Sequence, residues 1–209
     1  MSVGMVGTLN YTSETRTYKD MQNNLFGVYD ITNDRSNYLR NSTDNQYNDN
    51  KRLGALLNLA LLSKSGNNKY ELKNIFNRID NNRYTDRSGV NAQSDNEIGA
   101  EYYYRSRTTT NTQLTGKHTL PHDLLEWDLS YSYANRRMPD RKHYTIDDAL
   151  EHGTMILTAG NEINREFTKL DEHIMSANFN EKHDFKFGSF EPSLKLGGYG
   201  EYRSRKYKT

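Results

Sequence analysis

The stretch Leu125-Glu126-Trp127-Asp128-Leu129-Ser130-Tyr131-Ser132-Tyr133-Ala134 decides how this chain reads. Leu125, Trp127, Leu129, Tyr131 and Tyr133 alternate with Glu126, Asp128, Ser130, Ser132 and Ala134. Successive side chains of a strand point to opposite faces, so this segment has one apolar surface and one polar surface. Such a strand belongs between two different media.

The same period of two recurs on both sides. Val3, Met5, Gly7, Leu9 and Tyr11 alternate with Ser2, Gly4, Thr8, Asn10 and Thr12, interrupted only by Val6. Leu53, Ala55, Leu57, Leu59 and Leu61 share a face, but Leu56 and Leu62 stand on the other, so a short buried helix is the alternative there. Ser65-Gly66-Asn67-Asn68 reads as a tight turn into Tyr70, Leu72 and Phe76, completing a hairpin. A fourth strand runs from about Glu97 to His118, with Ile98, Ala100, Tyr102, Tyr104 and Leu114 opposite Glu101, Arg105, Arg107, Gln113 and Lys117. A sixth, Phe167 to His183, changes phase between Leu170, Ile174 and the later Met175, Ala177, Phe179, for which a bulge near Met175 is one explanation. The last starts at Ser193 and sets Leu194, Leu196, Gly198, Gly200 and Tyr202 against Lys195, Glu201 and Arg203.

Composition narrows the medium. In 209 residues the hydrophobic fraction is 33% and mean hydropathy is −1.02, low for a chain that must bury a compact core. Yet 16 Tyr, 7 Phe and one Trp, with only 3 Pro, are the wrong residues for a solvated coil. A transmembrane barrel reconciles these facts, because only alternate strand residues face lipid. The longest apolar run, Leu53 to Leu62, falls short of the roughly 20 residues a spanning helix needs. The 28 basic and 27 acidic residues are interleaved, so no long-range field favours nucleic acid as a partner. Absence of Cys excludes a disulfide scaffold and thiolate metal sites.

Connections add a second regularity. Links read as long (Ser13 to Asn50), short (Ser65 to Asn68), long (Ile79 to Asn96), short (Thr119 to Leu124), long (Arg137 to Glu166) and short (Asp184 to Pro192). Short periplasmic turns alternating with long extracellular loops are what an up-and-down barrel produces. The expectation is therefore all-β: an antiparallel up-and-down transmembrane β-barrel segment of about seven strands spanning 1–209. The lipid-facing set is Leu9, Tyr11, Leu57, Leu59, Trp127, Leu129, Tyr131, Tyr133, Leu194 and Leu196. The lumen-facing set is Glu101, Arg105, Arg107, Glu126, Asp128, Lys195, Glu201 and Arg203, charges that could pair across strands or hold a pore-filling domain. Tyr11, Tyr70, Tyr102, Tyr104, Trp127, Tyr131, Tyr133 and Tyr202 suit an interfacial girdle, although the β-propensity of tyrosine also accounts for some of them.

Several stretches resemble the barrel half of Bacteroidetes-type TonB-dependent receptors. They are Asp44-Asn45-Gln46-Tyr47 followed by Arg52-Leu53-Gly54-Ala55-Leu56-Leu57-Asn58, then Ile75-Phe76-Asn77-Arg78, and Ala100-Glu101-Tyr102-Tyr103-Tyr104 with Arg107. Tyr131-Ser132-Tyr133-Ala134-Asn135-Arg136 leading to Met138-Pro139-Asp140-Arg141, and Glu201-Tyr202-Arg203, complete the set. The resemblance covers most of the chain and implies an outer-membrane location and energy-coupled nutrient uptake. It implies as partners a plug domain, the remaining barrel strands, TonB, membrane lipid and an extracellular nutrient. Plug and TonB box are absent from this sequence, no export signal opens it, and both ends fall in alternating runs. The chain therefore reads as a fragment that does not transport alone.

Catalytic chemistry has little footing. His118 and His122 straddle the Pro121 turn, and His143 and His152 flank Asp147, Asp148 and Glu151, without a metal-ligand spacing. Asp80, Asn82 and Asp86 hint at an oxygen-ligand loop but lack the glycine and terminal glutamate of a calcium hand. Thr145 to His152 suggests a short loop helix capped by Thr145 and stopped by Gly153. No nucleophile, nucleotide or zinc-protease motif occurs, so no catalytic residue, cofactor or metal is expected. The loops Asp30 to Asn48 and Arg137 to Asn164 are the expected recognition surface. The rivals are a secreted soluble β-sandwich that binds carbohydrate through Tyr and Trp, and another outer-membrane porin or adhesin barrel.

Overall fold

The computed structural model describes residues 1–91, 96–147 and 163–209. Seven strands follow one another: β1 (Ser2–Asp30), β2 (Arg35–Leu62), β3 (Asn68–Asn91), β4 (Asn96–Thr119), β5 (Asp123–Asp147), β6 (Ile163–Asp184) and β7 (Ser193–Lys208). They form one antiparallel up-and-down sheet in chain order, β1-β2-β3-β4-β5-β6-β7. The sheet is not closed: among the described residues β1 pairs only with β2, and β7 only with β6. Two facing sheets, as a sandwich requires, are not formed, and Leu53 to Leu62 is strand throughout.

At one end of the sheet, tight turns join the strands. Gly66 adopts φ 77°, which the turn at Ser63 to Asn67 needs, and its N–H donates to the Ser63 carbonyl at 3.0 Å. Leu120 N–H donates to the Asp123 carbonyl at 2.8 Å across the Pro121 turn. Between Asp184 and Ser193, Phe187 and Phe190 bridge each other around Gly188, φ 65°. We call this the turn end and the opposite edge the far end.

The long loops are corrected by the structure. β1 and β2 pair out to Asp30 and Arg35, so the expected Ser13 to Asn50 loop is almost all strand around the short 31–34 turn. Likewise β3 continues to Asn91 and β5 to Asp147. Alternation of apolar residues stops well before the strands do, because a backbone ladder needs only paired N–H and C=O groups. Polar Asn, Asp, Thr and Arg side chains then satisfy one another across it, as Asn81 does by donating to Asn50 at 2.6 Å. Asp30 to Asn48 is thus a turn and a strand rather than a loop, and of Arg137 to Asn164 only 148–162 lies outside the described residues.

Three smaller expectations also change. Thr145 caps no helix, since Thr145, Ile146 and Asp147 belong to β5; Asp148, Glu151, His152 and Gly153 lie outside the described residues. No bulge occurs at Met175, because the register with β5 and β7 runs unbroken through it. Ile174 and Leu170 simply belong to the polar face. The β5–β6 irregularity lies between Met138 and Arg141 instead, where one additional β5 residue accommodates Pro139, which has no N–H to give the ladder.

Candidate functional site

Register fixes which side chains share a face. Met5, Leu59, Leu72, Leu114, Leu129, Ala177 and Gly200 stand side by side in one row across all seven strands. The rows on either side carry Val3, Leu61, Tyr70, Trp127 and Phe179 toward the turn end, and Leu57, Tyr131, Met175 and Tyr202 toward the far end. Leu9, Tyr11, Leu57, Leu59, Trp127, Leu129, Tyr131, Tyr133, Leu194 and Leu196 all fall on this face. Together they make an apolar band in the turn-end half of the sheet.

Nothing within the described chain covers that band. Leu129 is 51% exposed, Met175 55% and Leu9 76%, and among the described residues the only buried hydrophobic ones are Ala100 and Met138. An uncovered apolar surface of this extent cannot be explained as the scattered exposure normal in soluble proteins. Backbone ladders and cross-strand pairs hold the sheet, and the apolar face has no cover among the described residues.

An aromatic group marks the band's edge near the turns. Trp127 Nε1–H donates to His118 Nε2 at 3.1 Å, which leaves His118 Nδ1 to donate to Asn68 Oδ1 at 2.7 Å. Tyr70 meets Trp127 edge-on with ring centroids 6.5 Å apart. The indole lies across Gly116, its register partner, so a β-carbon there would collide with the ring. Here a polar tip is satisfied at the rim while the ring stays apolar, the arrangement suited to a lipid–water boundary.

The opposite face is mainly polar, interrupted by Val6, Leu56, Ile75, Leu170 and Ile174, and carries Glu101, Arg105, Arg107, Glu126, Asp128, Lys195, Glu201 and Arg203. Glu126 pairs with Lys117 at 3.0 Å, Asp128 accepts from Asn178 at 3.0 Å, and Glu201 pairs with Arg203 at 3.4 Å. Glu101 receives Arg83 at 2.6 Å and Arg141 at 2.5 Å. Arg105 donates to Asn81 at 3.5 Å, and none of Arg105, Arg107 and Lys195 has an ion pair among the described residues.

Beyond the apolar band lies a charged group that sequence reasoning missed. Arg87 grips Asp44 with two hydrogen bonds of 2.7 and 2.8 Å, and Asn23 adds a third at 2.7 Å. Burial alone would raise the Asp44 and Glu101 carboxyls. Hydrogen bonds from Arg87 and Asn23 to Asp44, and from Arg141 and Arg83 to Glu101, reverse the sign and hold both below the usual range. The Tyr103 ring supports three guanidinium groups, Arg83 at 4.9 Å, Arg105 at 5.6 Å and Arg141 at 6.0 Å. Glu101, Tyr103 and Arg105 lie on the expected fourth strand, but Asn23, Asp44, Arg83, Arg87 and Arg141 fall in stretches expected as loops, which is why the sequence does not show the group.

Asp80, Asn82, Asp86 and His143 are placed differently from their expectation, whereas His118 stands at the end of the fourth strand beside the Pro121 turn, as expected. Asp80, Asn82 and Asp86 lie along strand β3, where Asp80 accepts from Arg78 and Tyr104 and Asp86 from Asn45. His143 is a β5 residue and His118 a β4 residue; His152 lies outside the described residues. No cluster of metal-ligating side chains occurs among the described residues. No known protein-family model matches this chain, and no curated protein matches it.

Proposed function

We propose that the chain is an arc of the wall of a bacterial outer-membrane β-barrel, of the TonB-dependent receptor type whose barrel sequences it resembles. In this reading the barrel carries out energy-coupled uptake of an extracellular nutrient, and the chain contributes wall rather than catalysis. The observation that carries it is the apolar band, aligned in register over seven strands and covered by nothing among the described residues. Lipid is the medium such a face suits, since barrel strands alternate outward apolar and inward polar residues. The open edges of β1 and β7 support continuation of the sheet, because unpaired backbone groups in hydrocarbon cost several kcal/mol each, roughly. The polar face then lines the lumen or meets a plug domain.

Strand length fits the same picture. β3 and β4 have 24 residues each, about 80 Å at roughly 3.3 Å per residue, against an apolar zone about 25 Å tall. The turn-end halves cross the bilayer, and the far halves extend the sheet outside the cell.

Trp127 is the single tryptophan, which makes the test direct. Lipids brominated high on the acyl chain should quench its fluorescence more strongly than lipids brominated at the chain ends. Absence of quenching by either lipid would remove the membrane reading. Uptake that persists without TonB would separately remove the receptor type while leaving the barrel.

A further inference from the structure

On the polar face, just beyond the apolar band, the arginines of β3, β4 and β5 outnumber their counter-charges. Arg107 and Arg136 are directly opposed in the β4–β5 register. Like charges in that position repel, yet neither has a carboxylate partner among the described residues. The nearest acid on this face by register, Glu172 on β6, is already shared by Arg203 and Arg205, and Glu101, farther along β4, by Arg83 and Arg141. The Nε atoms of Arg83, Arg105 and Arg136 are buried without an acceptor. An unmatched charge and a set of unsatisfied donors thus coincide at one place.

We propose that Arg105, Arg107 and Arg136, flanked by Arg83 on the Tyr103 ring, bind a small multivalent oxyanion, a polycarboxylate or a polyphosphate. Tyr103 holds neighbouring guanidinium groups side by side, at 4.9 Å for Arg83 and 5.6 Å for Arg105. Planar guanidinium forks match carboxylate and phosphate oxygens two at a time, and here they need no ordering by the ligand. Alternate positions on a strand lie roughly 6 to 7 Å apart, so a single monovalent ion neutralises one fork and leaves the rest. A multivalent ion bridges them and removes the repulsion between Arg107 and Arg136. The inference rests on the polar face being the wet one, as the barrel reading has it.

The test uses the protein purified in detergent with all its barrel strands, titrated calorimetrically with pyrophosphate, citrate and uncharged trehalose. Both anions should bind, whichever is tighter identifying the source as phosphate or carboxylate, and affinity should fall several-fold on raising salt. The Arg107→Gln/Arg136→Gln pair should weaken binding at least tenfold with Trp127 lipid quenching unchanged. If that pair does not fold, Arg105→Gln alone should weaken binding at least threefold. Equal affinity in the folded variant, no anion binding by the parent, or trehalose binding as tight as citrate overturns the proposal. So does an acidic hexapeptide that outcompetes both anions, which would make the occupant a protein segment. Lipid quenching of Trp127 without anion binding sinks this inference alone; anion binding without quenching sinks the barrel reading alone.

Discussion

Leu129 and Ser130 are neighbours in sequence and face opposite media in the proposed barrel, so one substitution at each isolates the facing. Leu129 sits mid-band between Leu114 and Ala177, half exposed at 51%. Ser130 lies on the other side between Gln113 and Ser176, whose hydroxyl is 2.6 Å away. An arginine on the lipid face near the bilayer midplane costs about 2 to 4 kcal/mol. At about 1.4 kcal/mol per factor of ten, Leu129→Arg should shift the folding equilibrium in lipid roughly 30- to 1,000-fold. Ser130→Arg forfeits one hydroxyl pair and gains a wetted cation, so it should cost about 1 kcal/mol or less. Folding into phospholipid vesicles, titrated with guanidinium and followed by Trp127 emission, measures both. Equal costs for the two variants, or a larger cost for Ser130→Arg, would refute the assigned faces.

Two further outcomes follow from contacts near the rim and beyond it. Gly116→Val puts a side chain where the Trp127 indole lies, so the ring must leave its place beside His118. A loss of about 1 to 3 kcal/mol and a red-shifted Trp127 emission are expected, and unchanged emission contradicts the stacking. Asp44 and Glu101 have pKa values below those of the unfolded chain, near 4, so their stabilisation is complete above that value and disappears as pH falls through the folded pKa. Amide hydrogen exchange between pH 5 and pH 3 should therefore show the far halves of β2, β3 and β4 losing protection before the turn-end halves; uniform loss along the strands contradicts this.

The sheet has two zones that obey different rules. Near the turns, apolar and polar residues alternate, and one face is an apolar band. Farther out, the regular alternation is lost, and the strands persist through cross-strand ion pairs such as Asp44 with Arg87, ring contacts such as Tyr47 with Tyr84, and backbone pairing. The β1 bulge between Tyr18 and Met21 and the β5 bulge between Met138 and Arg141, which shifts the register with both β4 and β6, fall in this far zone. A one-residue slip there leaves the apolar band intact, so irregular register is tolerated.

Sequence alone determined the strand character and the separation of faces wherever one side of the strand is apolar, from Ser2 to Tyr11 and from Leu125 to Tyr133 above all. Period two is a local property, written residue by residue, and needs no knowledge of neighbours. Strand ends were not legible, because Thr15, Asn48, Arg83 or Tyr144 can pair in a ladder or dissolve in a loop with equal local plausibility. Only the partner strand decides which, by offering or withholding its N–H and C=O groups at the right register. For the same reason the arginines gathered around Tyr103, which come from three different strands, became a site only in the folded sheet. Their proximity depends on hydrogen-bonded register across the sheet, which no single segment encodes.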